Sequence, residues 1–198
     1  TEYIPYGGIV YRPPAFMATY PDGCRESVLT YKDFNVSEFD DGFMLEIILE
    51  DKPYNVDVTL CYKVREDTDI IERYTKIKNN SDGTVVLNKI SSGEFNVPSM
   101  RPYTSTNFNG AWLAEFRKEE TVVKNGVLTY DGRKGGSNHT VNPIFLLSQD
   151  ADENHGDVFF GALAWSGNFK TEISRDFAGI TRAVIGINDF DFSYTLHP

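Results

Sequence analysis

The chain is 198 residues long, enough for one substantial domain, and chains of this size bury roughly 70% of their unfolded surface, so no disulfide or metal staple is needed. Hydrophobic residues at 40% and charged residues at 24% exclude a disordered or collagen-like polymer. Nineteen basic against 29 acidic side chains give a net charge of −10, which repels a phosphate backbone and sets nucleic acid aside as a partner.

The composition is strand-like, with 11 Tyr, 14 Phe and many Val, Ile and Thr, punctuated by 16 Gly and nine Pro. In chain order the predicted strands are residues 27–31, 43–49, 56–64, 70–78, 84–97, 113–124 and 127–130, then 144–147, 158–165, 169–174, 181–187 and 190–196. The clearest is 56–64, where Val56, Val58, Leu60, Tyr62 and Val64 alternate with Asp57, Thr59, Cys61 and Lys63. Its partner is 43–49, turned back through Glu50, Asp51, Lys52 and Pro53. Asn80 to Gly83, Asn125-Gly126 and Gly167-Asn168 supply further turns. The run 158–165 is apolar on both faces, which predicts a central strand covered from both sides. At eight residues it is also the longest apolar run, far below the roughly 18 of a membrane span, so no membrane partner is expected. About a dozen short strands without a repeat or linker predict an all-β fold, a large antiparallel two-sheet sandwich, as one domain over 1–198.

Few motifs carry chemistry. Asp150, Asp152 and Asn154 open like a calcium loop, but Gly156 comes one place late and Gly161 stands where the bidentate Glu belongs, so the segment reads as a solvated acidic turn. The glycine-rich 132–137 lacks phosphate-loop spacing and a following helix. His139, His155 and His197 are scattered, Cys24 and Cys61 lack zinc spacing, and Ser137 and His139 sit outside any G-x-S-x-G elbow. No metal, cofactor or hydrolase triad is expected. Whether Cys24 and Cys61 pair is open. Aromatic and polar side chains concentrate in 3–20 and 107–116, where rings suit sugar C–H faces but also fill β-cores; composition alone favours core filling.

An ordered series of short motifs is more specific. Asn109, Gly110, Ala111, Trp112, Leu113, Ala114, Glu115, Phe116 and Arg117 are followed by Arg133, Gly135, Ser137, His139, Asn142 and Pro143. Then come Gly167-Asn168-Phe169, Phe177 to Arg182, and Gly186-Ile187-Asn188 leading to Tyr194. The series resembles the amino-terminal domain of glycoside hydrolase family 36, the α-galactosidases related to raffinose synthases. Tyr11 to Ala15, Tyr20 to Gly23, and Val58 through Arg73 extend the resemblance over the first half.

The resemblance implies a supersandwich similar to galactose mutarotase, preceding a (β/α)8 barrel and a small carboxy-terminal β-domain. The family's chemistry is a retaining double displacement by two Asp residues, both in the barrel, so no catalytic residue is assigned here and the chain is expected to be the amino-terminal part of a longer glycosidase. The implied roles are bracing that barrel, contacting neighbouring subunits, and lending the loop 7–15 to an α-galactoside pocket. Within that loop Val10 stands where the family often carries a carboxylate, leaving Tyr11 and Arg12 as a ring and a planar donor. Trp112, His139, Asn142 and Asn168 fall at motif positions as further substrate-binding candidates, most of them expected to fix loops or the barrel interface. A free-standing carbohydrate-binding module is the alternative.

Overall fold

The computed structural model describes residues 2–8, 12–98 and 100–198. Among them the regular structure is β throughout, with fourteen strands, no helix, and antiparallel pairing between strands. The chain forms two compact units, one essentially of residues 3–93 and 191–198, the other of residues 94–190.

In the first unit, β1 (Phe16–Thr19) precedes a meander of β2 (Leu29–Phe39), β3 (Gly42–Asp51), β4 (Val56–Arg65) and β5 (Ile71–Asn79). Then β6 (Val85–Val97), whose residues from Glu94 onward belong to the second unit, pairs with β1 near its start. The alternation in β4 does what it predicts: Val56, Val58 and Leu60 are buried. The pairing register puts Tyr31, Phe34, Val36, Phe43, Val64 and Ile71 on that same face, yet these are 42–61% exposed. An apolar sheet face therefore runs from the core into solvent. Where it is covered, each fully buried aliphatic side chain contributes about 1.5–3 kcal/mol.

The second unit holds β7 (Thr104–Ala111), β8 (Ala114–Val122), β9 (Gly126–Gly132), β10 (Ile144–Ser148), β11 (Val158–Ala162), β12 (Phe169–Arg175) and β13 (Thr181–Ile187). One sheet has the order β11-β10-β7-β8; in the other β12 lies between β13 and β9. Tyr103, Val123, Phe145, Leu147, Ile173 and Ile185 form its core. Finally β14 (Tyr194–Leu196) returns to the first unit and pairs with Val85–Leu87 of β6.

The structure corrects several expectations. The run from Val158 is an edge strand: among the described residues β11 pairs only with β10, stops at Ala162, and leaves Phe160 64% exposed. An apolar run reports side-chain chemistry and says nothing of how many neighbours its backbone has. β7 was not anticipated, because its buried Ser105, Thr106 and Asn107 give no hydrophobic period. β1 was likewise unforeseen, β2 runs eight residues past the predicted 27–31, and the last strand shrinks to three residues. Cys24 and Cys61 are free thiols, and burial pushes the Cys61 thiol upward.

Candidate functional site

The loop expected to reach a sugar pocket leaves and re-enters the first unit at one point. Ala15 N–H donates to Ile4 O at 2.7 Å, Tyr6 N–H to Phe16 O at 2.9 Å, and Ser27 N–H to Tyr6 O at 3.0 Å. The buried Tyr3 hydroxyl clamps the base by donating to Ser91 O at 2.9 Å. Gly7 has φ of 94°, and a Cβ there would lie 2.6 Å from Glu26 Cγ, so both backbone and space demand glycine. Arg12 is half-buried and lines a concavity of about 670 Å³ with Pro5, Tyr6, Gly8, Pro13 and Glu26. Arg25 stands 5.5 Å above the Tyr6 ring at the same place. Tyr11 and Val10 lie outside the described residues.

In the second unit the other candidates divide by role. The β7–β8 hairpin turns through Trp112 and Leu113, each 79% exposed. Leu113 and Phe116 have φ of 63° and 56°, left-handed values uncommon outside glycine and asparagine. The Glu115 carboxylate holds this turn: the backbone N–H groups of Glu115 and Leu113 keep its carboxyl below the usual range, the latter donating at 2.9 Å. Phe116 stacks on Phe108 with centroids 4.2 Å apart. Gly110 is required because a Cβ would meet Ala114 O at 2.7 Å and His139 O at 3.1 Å. The backbone of His139 thus passes beside the Trp112 hairpin, while its side chain is exposed.

Asn142 and Asn168 are braces. Asn142 donates its backbone N–H and Nδ2 to Phe108 O at 3.1 and 2.7 Å, tying its segment to β7. Asn168 Oδ1 accepts from Gly135 N–H at 2.6 Å, and its carbonyl accepts from Trp165 Nε1 at 3.1 Å. Ser137 Oγ donates to Trp165 O at 3.0 Å, so the glycine-rich loop is pinned to the 165–168 turn. The acidic turn at 150–156 is closed by Asp152 Oδ1, which accepts from the N–H groups of Asn154 and His155. Among the described residues no cluster of three or more His, Cys, Asp or Glu is placed to hold a metal.

Sequence reasoning missed Asn188, which is 2% exposed and donates Nδ2 to Phe169 O at 2.9 Å and Gly132 O at 3.1 Å. Its Oδ1 accepts from Phe190 N–H at 2.9 Å. The signal was available: an Asn followed two residues later by a turn is ordinary Asx chemistry.

This fold and these loops are those of a known family. Residues 1–197 match the glycosyl hydrolase family 36 N-terminal domain, and the chain belongs to that family. It is 30% identical to alpha-galactosidase AgaA of Geobacillus stearothermophilus and 28% identical to alpha-galactosidase Mel36A of Lactobacillus acidophilus, each comparison covering all of this chain and 29% of the relative. The crystal structure of AgaA superposes with a TM-score of 0.94 at 29% identity, over all of this chain and 30% of that one. A variant of AgaA in complex with stachyose gives 0.95 at 30% identity, with the same coverage. The chain spans less than a third of the length of the curated relatives it matches.

Proposed function

We propose that this chain is the non-catalytic amino-terminal domain, a single domain over 1–198, of a retaining α-galactosidase that releases terminal galactose from melibiose- and raffinose-type sugars. The observation that carries the reading is the match to family 36 α-galactosidases along the whole chain. A retaining enzyme needs two carboxyl groups about 5 Å apart, one attacking the anomeric carbon and the other acting as acid and then base. In this reading both belong to a (β/α)8 barrel following the domain.

The domain's own work is then mechanical and positional. Its half-exposed sheet face of Tyr31, Phe34, Val36 and Phe43 is a surface that a neighbouring domain or subunit would cover, which supports the bracing and oligomer-contact roles. Arg12, which lines a concavity with Pro5, Tyr6 and Gly7, is a planar multi-donor suited to sugar hydroxyls, which supports a role for it in a galactoside pocket. Trp112 and His139 are exposed enough to meet substrate or the barrel.

The test is hydrolysis of a nitrophenyl α-galactoside. The 198-residue chain alone is expected to give none, and the chain joined to its native downstream barrel is expected to be active. In that active protein Arg12→Ala should raise KM several-fold with little change in kcat, the pattern of lost uniform binding. Turnover by the isolated chain would overturn the non-catalytic reading.

A further inference from the structure

The second unit contains a cleft of about 730 Å³ that none of the six candidates lines. Asn109, Arg117, Glu119 and Thr121 come to it from β7 and β8, and Thr129 and Tyr130 from β9. The volume falls within the range of small-molecule sites. Both β8 and β9 end their sheets, and four consecutive β9 residues, 128–131, border the space, so backbone groups without a ladder partner lie along it together with side chains.

The hydrogen-bonding capacity of this lining is largely unspent. Among the described residues the Arg117 guanidinium has no partner, and neither do the hydroxyls of Thr121, Thr129 and Thr140. Glu119 accepts from Asn109 Nδ2 at 2.6 Å through Oε2 alone. Asn109 Oδ1 is a buried acceptor with no partner, an arrangement that costs stability until a donor arrives. Tyr130 contributes its ring, since its hydroxyl is already bonded to Ser105 Oγ at 2.9 Å. Leu128, Val141, Ala111 and Ala114 add apolar surface.

Donors and acceptors thus stand side by side, with one cationic group, Arg117, against two carboxylates, Glu119 and Asp131, of which Asp131 is already paired with Arg133. An anion would sit against Glu119 and a cation against Arg117. A sugar, whose hydroxyls each donate and accept and whose C–H faces pack on Tyr130 and Leu128, satisfies both kinds of group. We infer that this cleft is a binding site for a neutral oligosaccharide, separate from the Arg12 loop. It would hold a sugar chain against the domain without cleaving it. Only the choice of galactosyl probes rests on the proposed function.

The experiment is a titration of the isotopically labelled 198-residue chain with melibiose and raffinose to tens of millimolar, followed by backbone amide NMR. Saturable shifts are expected at Asn109, Arg117, Glu119 and Thr129. Arg117→Ala and Glu119→Gln, both at exposed positions, should each weaken the binding about tenfold while leaving the thermal melt unchanged. Absence of saturable shifts, shifts confined to Arg12 and Glu26, or undiminished binding by the double variant would each overturn the inference. Those results leave the hydrolysis test of the joined enzyme untouched, so the two readings fail separately.

Discussion

Glu94, near the end of β6, and Arg182, in β13, form an ion pair at 2.9 Å with neither side chain more than 1% exposed. A pair so deep contributes little net stability against an apolar replacement, because desolvating two charges offsets their attraction. Breaking it is another matter. Glu94→Ala should cost about 3–5 kcal/mol by removing the carboxylate that offsets a buried guanidinium, whereas Glu94→Leu with Arg182→Met should recover most of that loss. Urea denaturation of the three proteins checks this, and a single variant as stable as the native chain would refute it.

The four sugar candidates of the second unit should separate by stability as cleanly as they separate by geometry. Asn142→Ala and Asn168→Ala each remove bonds that hold loops and should cost about 1–2 kcal/mol. Trp112→Ala and His139→Ala remove exposed groups and should stay within about 0.5 kcal/mol. Chemical denaturation measures all four. An unstable Trp112→Ala would show that the ring packs in solution.

The strands β3, β4, β12 and β13 were legible in the sequence, because apolar alternation and turn residues agree there. β7 was not, since its inward side chains are polar and their partners are distant in sequence: Asn107 Nδ2 donates to the carbonyls of Asn142 and Ile144, some 35 and 37 residues away. The cleft was equally hidden. Its lining comes from three strands and a loop whose juxtaposition depends on sheet order, which no local pattern encodes. The Arg12 loop could be placed only through family resemblance, as Pro, Gly and Tyr in sequence do not reveal that Tyr3 and Ser91 clamp its base.

Acid should loosen the Trp112 hairpin through one carboxylate. Because its backbone donors hold Glu115 below the ordinary glutamate pKa, the stabilisation it provides is complete above that ordinary value and is lost as pH falls through the lower folded value. The Leu113 amide proton, bonded to Glu115 Oε1, should report the step by NMR, and Glu115→Gln should abolish it. A midpoint at or above the ordinary glutamate range would contradict the geometry.

The exposed apolar face of the first unit should make the isolated chain self-associate. β2 is an edge strand with Tyr31, Phe34 and Val36 all more than half exposed, so it offers both a sheet edge and an apolar surface. Phe34→Lys should lower the apparent mass at high concentration, read by light scattering, without lowering the melting temperature. Equal scattering from both proteins would move the association elsewhere.

Tyr194–Leu196, which close onto Val85–Leu87, lie in the short segment 191–198 that completes the first unit, whose other residues precede residue 94. On the ribosome, therefore, the second unit is complete in sequence before the first one is. The opening half must wait with one side of β6 unpaired while nearly a hundred residues of the insertion emerge, and a nascent chain arrested before Asp191 would leave that edge open to chaperones or to another copy of itself.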